Sequence, residues 1–307
     1  MQIRCLSIPN WRDKAARRER LQRLAALASK ALIDEAELTP KPGLVDRRGS
    51  GAHHDLSLGL MRRSANVLKP YFATMALVTE THSVDTGLRG ELASIGRAAE
   101  RAMFEETLGT NTHKGAIWTL GLLVAAAARP DCRSARQIAC MAGTIARLPL
   151  RARPALITHG DLARTRYGAA GARGEACNGF PHVMEHALPT LRSRRVTGST
   201  EQAARLDALL VMMARLDDTC VLYRGGPEAL FVVKSGAQAV IAAGGYGSNR
   251  GRERLCALDR ELIARHISPG GSADLLAATT FLDSLERDLS PGSAGRESED
   301  THGTVHL

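Results

Sequence analysis

Acids, cations and glycines gather in five short stretches of this chain, and each stretch mixes residue types that handle phosphate or protons. The first is Glu37-Leu-Thr-Pro-Lys-Pro-Gly-Leu-Val-Asp46, followed by Gly51-Ala-His-His-Asp55. Its prolines stiffen the backbone and its glycines allow close approach to a ligand. Lys41 and Arg47 suit phosphate, while Glu37, Asp46 and Asp55 suit Mg²⁺ or a base role. The competing reading is a helix connector with solvated charges. The second stretch, Gly109-Thr-Asn-Thr-His-Lys-Gly115, precedes an apolar run. Free N–H groups at a helix N-terminus bind anions, and Asn111, His113 and Lys114 would stand at that mouth. Its plainer reading is a capping loop built on Asn111 or Thr112.

Arg173 lies between two glycines in Gly171-Ala-Arg-Gly-Glu175, not far after Thr158-His-Gly160, and is placed for a phosphate or carboxylate. Asp217-Asp-Thr-Cys-Val-Leu-Tyr-Arg-Gly-Gly226 offers an acid pair for a metal and Arg224 for phosphate. Ser268-Pro-Gly-Gly-Ser-Ala-Asp274 feeds a last helix, whose dipole Asp274 can support. His182-Val-Met-Glu-His186 matches the H-x-x-E-H pattern of inverted zinc peptidases, but five-residue patterns arise by chance and no third ligand is evident.

The elements that must hold these loops read as helices. Apolar residues recur at helical spacing over 12–38, and Pro40 stops that run. Asp55 is the expected cap of a second helix reaching Lys69, where Pro70 breaks or kinks it. Further helices are predicted at 85–107, 114–128, 134–147, 181–192, 201–216, 227–242, 252–267 and 272–287. The run 114–128, apolar nearly all round, should be a buried central helix. Aromatics are only 4% of the 307 residues, which disfavours sandwiches and barrels, and no repeat or alternating strand–helix pattern appears. The expected fold is all-α: one multi-helix catalytic domain over 1–290 with its site built from inter-helix loops, and a disordered polar tail over 291–307.

Composition narrows the function classes. Apolar residues make up 44% and charged residues 24%, ordinary for a globular chain. The formal charge is +9 and arginine dominates the basic residues, which suits anionic partners or a solvated charged surface. The six cysteines show no CxxC spacing and suit free thiols in a reducing compartment. The N-terminus lacks a signal-peptide core, and the longest uncharged run is too short for a bilayer. Together these read as a cytoplasmic protein.

Taken in order, the loops resemble the triphosphoribosyl-dephospho-coenzyme A synthase family. The matching elements are Thr39–Asp46, Gly51–Asp55, Asn111–Gly115, Gly171–Ala176, Asp218–Val221 with Arg224–Gly226, and Ser268–Leu276. Cys220 departs from the family pattern, which has Asn there. The resemblance implies transfer of the 5-triphosphoribosyl group of ATP to the ribose 2′-hydroxyl of 3′-dephospho-coenzyme A, with adenine leaving. The product is the prosthetic-group precursor of a decarboxylase or lyase carrier protein, with the malonate decarboxylase branch favoured over the citrate lyase branch, followed by hand-over to the enzyme that attaches it. Neither nucleic acid nor membrane is an expected partner. On this resemblance, Asp46, Asp55 and His113 are the catalytic candidates. Lys41, Arg47, Asn111, Lys114, Arg173 and Arg224 are the phosphate-binding candidates. Glu37, Asp46 and Asp218 are the expected ligands of an Mg²⁺ arriving with ATP. Two other readings are a Mg-dependent ADP-ribose glycohydrolase-like hydrolase, which would use water as acceptor, and an Arg-rich RNA-binding module, which would lack any aromatic stacking motif.

Overall fold

The computed structural model describes residues 11–150 and 159–289, which form twelve α-helices and one π-helical turn; no strand occurs among them. The tail expected over 291–307, and Thr158 of the third loop, lie outside the described residues. The long helices begin where small polar residues accept the first free N–H groups. Ser57 caps α2 (Leu58–Thr81), Asp85 caps α3 (Thr86–Glu106) and Ser134 caps α5 (Ala135–Arg147). The first of these caps corrects the sequence reading: Ser57 rather than Asp55 starts α2, accepting from the Leu60 N–H.

Pro70 does not end α2 either. A proline inside a helix removes one hydrogen bond and costs about 3 kcal/mol in isolation. Here it sits on the exposed side, while Leu68 and Phe72 beside it are wholly buried, so packing outweighs the local penalty.

The predicted central helix is α4 (Lys114–Ala127), buried on nearly every side. It packs against α2, α3, α5, α12 (Gly270–Leu289) and α1 (Trp11–Glu37). Gly121 lets α2 approach so closely that a Cβ there would stand 2.7 Å from the Met75 sulfur. The second core helix is α12, whose Leu275, Leu276, Ala278, Phe281 and Leu282 are buried between α1, α4 and α9 (Glu201–Met213).

Two helices were not predicted: α6 (His159–Tyr167) and α7 (Gly171–Cys177), in the stretch read as a glycine-rich loop. The predicted 181–192 helix is a π-helical turn, His182–Ala187, running into α8 (Leu188–Val196). The predicted 227–242 helix starts earlier: α10 spans Thr219–Ala242 with a break at Gly226, whose φ of 65° lies in the left-handed region that glycine tolerates. Finally, α11 covers Asn249–Ala264. Among the described residues no helix is long and apolar enough to cross a membrane.

Candidate active site

The N-termini of α4, α10 and α12 come together, and Asp218 joins two of them. Its carboxylate accepts from the Cys220 and Val221 N–H groups at the start of α10. It also accepts from the Gly271 and Ser272 N–H groups and the Ser272 hydroxyl at the start of α12, at 3.3, 2.8 and 3.0 Å. One buried side chain thus caps two helices. Gly271 is needed at this crossing, because a Cβ there would lie 3.0 Å from Asp218 Oδ1.

Loop 38–56 is folded back onto this frame by its own charges. Lys41 is 1% exposed and its ammonium is paired with the buried Glu35 of α1. Asp46, also buried, accepts from the Lys41 N–H at 2.9 Å and from the backbone N–H and guanidinium of Arg48. Arg48 reaches on to Asp259 of α11 at 2.8 Å, and Asp259 takes the Gly43 N–H. Gly43 (φ 69°) fits only without a side chain, since a Cβ would lie 2.5 Å from the Ile267 carbonyl. On the outer side, Glu37 is clamped by Arg62 and Arg47 at 2.6 Å each. Burial would raise its carboxyl pKa, but the hydrogen bonds and charges of Arg62 and Arg47 hold it below the usual range.

At the mouth of α4, Asn111 accepts from the Lys114 N–H at 3.2 Å, the capping role its type suggested. The Lys114 ammonium is 3.4 Å from Glu100 and partly open to solvent. His113 is 2% exposed; Nδ1 lies 2.8 Å from the Ser64 hydroxyl, while Nε2 is buried with no hydrogen-bond partner. Burial, with the Lys41 charge behind it, pushes its pKa down to about 3, so the ring is neutral. Facing this mouth is Asp274 of α12. A Cβ on Gly115 would fall 2.0 Å from Asp274 Oδ2, so the carboxyl is pressed against the first turn of α4. Burial and the negative charges of Glu35 and Asp218 push its carboxyl pKa well up. Cys220 lines the same place, its thiol pKa raised by burial and by Asp218 and Asp274.

On the other flank, Ala52, His53, His54, Asp55, Arg224 and His266 line an open cavity of about 320 Å³. The ring of His53 bridges Ser268 Oγ at 2.8 Å and Arg224 at 3.4 Å, with Asp55 3.5 Å away. Burial and the Arg224 charge lower its pKa against the pull of Asp55. Trp118 of α4 donates its indole N–H to the Ala172 carbonyl, fixing α7 and its exposed Arg173 beside α4.

Of the sequence-chosen acids, Asp46 and Asp218 have their oxygens taken by the chain's own donors, and Glu37 stands apart in its arginine clamp. Among the described residues no three His, Cys, Asp or Glu side chains converge as a metal site. The three expected Mg²⁺ ligands therefore do not fit a resident ion. The H-x-x-E-H stretch gives no zinc site: Glu175 holds the His182 ring at 2.8 Å and its backbone N–H at 2.9 Å.

Residues 21–292 match the family described as ATP:dephospho-CoA triphosphoribosyl transferase. A Pseudomonas aeruginosa protein with the name "Probable 2-(5''-triphosphoribosyl)-3'-dephosphocoenzyme-A synthase" is 56% identical over 89% of this chain and 93% of its own length. Proteins of the same name from Stutzerimonas stutzeri and Azotobacter vinelandii are 54% and 52% identical, each over 86% of this chain and 92% of their own. The chain belongs to the ATP:dephospho-CoA triphosphoribosyl transferase family.

The elements that carry the transferase resemblance touch one another in a continuous series. His53 meets Ser268 and Arg224, Asp218 meets Gly271 and Ser272, Gly171 lies against Thr219, and Asp274 lies against Gly115. What sequence reasoning missed are Glu35, His53 and Asp274 as members of this centre. Asp274 carried a signal: it sits in the last ordered transferase element, on a helix whose start is fixed by Asp218. At Cys220, where the family pattern has Asn, the backbone N–H still serves Asp218.

Proposed function

We propose that this transferase moves the 5-triphosphoribosyl group of ATP onto the ribose 2′-hydroxyl of 3′-dephospho-coenzyme A and releases adenine. The observation that carries this reading is the convergence of the transferase-family elements on three helix N-termini. The helix dipoles there favour anions, with Asp218 and Asn111 already taking the foremost N–H groups. Arg173 and Arg224 are exposed and have no carboxylate partner among the described residues, so with Lys114 they form the phosphate-facing cations.

The chemistry is substitution at the anomeric carbon of the donor ribose. The bond to adenine breaks as positive charge builds on the sugar, and the acceptor hydroxyl must lose its proton. Asp274 is the base this reading favours over Asp46 and Asp55. Asp46 is saturated by donors and Asp55 is 64% exposed, whereas no hydrogen bond to Asp274 is made by the described residues. Burial raises the Asp274 pKa, which makes it a stronger proton acceptor than an ordinary carboxylate. The neutral His113 ring, two residues before Gly115 and bonded to Ser64, adds no charge to this mouth. Mg²⁺ enters as part of the nucleotide, since it keeps phosphate oxygens and water as ligands and needs only one or two carboxylates. The product serves malonate decarboxylase rather than citrate lyase in this reading, on the strength of the sequence resemblance, and passes on to a prosthetic-group transferase.

The test is incubation with ATP, Mg²⁺ and dephospho-CoA, with mass analysis of the products. Adenine and the triphosphoribosyl adduct should appear only when both substrates are present. Release of ADP or AMP in place of adenine overturns the reading, and adenine release without dephospho-CoA points to the hydrolase.

A further inference from the structure

Arg89 is the fourth residue of α3, in a first turn whose dipole favours acids over cations. It is only 7% exposed, and its Nε is buried with no hydrogen-bond partner. Its guanidinium lies 4.7 Å above the Trp118 ring. The groups that act on it electrostatically are Arg173, Arg97 and the Cys177 thiol; none is a carboxylate. Burial and the two neighbouring guanidinium charges accordingly lower its pKa. Elsewhere the protein pairs its buried charges: Lys41 with Glu35, Asp283 with Arg195, Asp207 with Arg194. Arg89 has no carboxylate partner among the described residues, and the charged neighbours that act on it are of its own sign.

A lone buried cation is expensive to keep, and replacing such a charge by an apolar side chain is often neutral or stabilising. A packing role on Trp118 explains the stacking but not the unfilled Nε or the like charges that act on it. The surrounding placement points one way. Trp118 is one turn along α4 from Lys114 and is bonded to the carbonyl of Ala172, next to Arg173. The cations therefore gather on the side of α4 that carries the transferase loops.

We infer that Arg89, stacked on Trp118, and Arg173, next to the residue that Trp118 holds, form a subsite for a phosphate chain, with Arg89 as its buried floor. The inference rests on the transferase reading for its location, not for its chemistry. A planar guanidinium suits paired phosphate oxygens, and a second one suits the next phosphate of a chain. Both proposed substrates carry one: the triphosphate of ATP and the diphosphate of dephospho-CoA.

The probe is inorganic triphosphate, titrated calorimetrically and by tryptophan fluorescence in a Trp11→Phe background, where Trp118 is the single tryptophan. The reference protein should bind with a change in Trp118 emission. Arg89→Gln and Arg173→Ala should each weaken binding by about ten- to a hundredfold, the value of a charged hydrogen bond. Arg173 is exposed, so its variant keeps the test alive if Arg89→Gln folds poorly. Arg89→Leu should melt no lower than the reference protein without ligand. Equal triphosphate affinity in Arg89→Gln and Arg173→Ala overturns the subsite. So does a lower melting temperature for Arg89→Leu with triphosphate binding intact. Steady-state kinetics of Arg173→Ala then names the source. A raised KM for ATP alone assigns the donor's triphosphate, and a raised KM for dephospho-CoA alone assigns the acceptor's diphosphate. Triphosphate binding lost in the variants of a protein that never releases adenine would leave the subsite standing and remove the transferase reading.

Discussion

Changing Asp218 to Asn separates two roles that the sequence alone leaves tangled. As a ligand of nucleotide-bound Mg²⁺, Asp218 would matter for turnover and little for stability. The structure gives it a different burden, because five donors from two helices converge on one buried carboxylate. Losing an N-cap costs about 0.5–2 kcal/mol per helix. Asparagine keeps one acceptor oxygen and turns the other position into a donor. It can still cap one helix but sets an N–H₂ against the N–H groups of the other. One buried donor without a partner costs about 1–3 kcal/mol. Part of this is returned, since burial opposes the Asp218 charge and pushes its pKa up. A net loss of roughly 1–2 kcal/mol for Asn and about 3 kcal/mol for Ala follows. At about 2–4 °C per kcal/mol for a domain approaching this size, the melting temperature should fall by about 2–8 °C for Asn and more for Ala. The assay is a melting curve beside turnover measured across Mg²⁺ concentrations. Turnover should fall along with stability, and excess Mg²⁺ should not restore it. An unchanged melting temperature with turnover abolished at low Mg²⁺ and recovered at high Mg²⁺ would refute the double-cap account.

Three further outcomes are expected. Gly115→Ala normally strengthens a helix by about 0.8–1 kcal/mol, but its methyl would meet Asp274 Oδ2, so kcat should fall at least tenfold, or about 1.4 kcal/mol, while the melting temperature holds; wild-type kcat would show that Asp274 is not placed at the reaction. Asp274→Asn should abolish turnover and erase the rise of kcat with pH that titration of a base produces, while ATP binding persists; a retained pH-dependent limb would move the base to Asp55 or another group. His113 has a folded-state pKa depressed from 6.5 to about 3, so the unfolded chain takes up its proton first as pH falls. The stability this group contributes is complete above pH 6.5 and lost through the window down to about 3, amounting to about 2 kcal/mol by pH 5. Urea melts of His113→Asn, whose side chain can still reach Ser64, should show a shallower loss between pH 7 and 5 than wild type, and parallel curves would contradict the buried neutral ring.

The helical architecture was legible because Ala and Leu recur at helical spacing and because α4 is apolar all round. Boundaries failed where a local preference had a competitor. Ser57 stood two residues beyond Asp55, and the buried neighbours of Pro70 carried α2 through it. The short helices α6 and α7 were hidden because their glycines and arginines read as loop. For the site, the location was readable and the division of labour was not. Lys41, Asp46 and Asp218 occupy glycine- and proline-rich loops, where polar side chains are expected to face solvent, yet all three are buried and bonded to their own chain. Only the fold shows which polar group is left over. Arg89 failed for the opposite reason, since an arginine in an amphipathic helix gives no hint of being buried. Much of the arginine excess is internal bracing: Asp283 alone receives Arg192, Arg195 and Arg287, and Glu80 receives Arg17 and Arg20.

The position of α12 has a consequence for how the chain reaches this state in a cell. Of the described helices it is the last to leave the ribosome, and it fills the space between α1, α4 and α9. Until it emerges, the apolar sides of those three helices have no permanent cover, and the carboxylate of Asp218 has only two of its five donors. Synthesis at about 5–20 residues per second leaves that trough open for many seconds. A chain interrupted before Gly270 is thus a client for chaperones or proteases, not a weakened enzyme. The late closing of the centre also means that the proposed phosphate-facing site is incomplete until α12 has emerged.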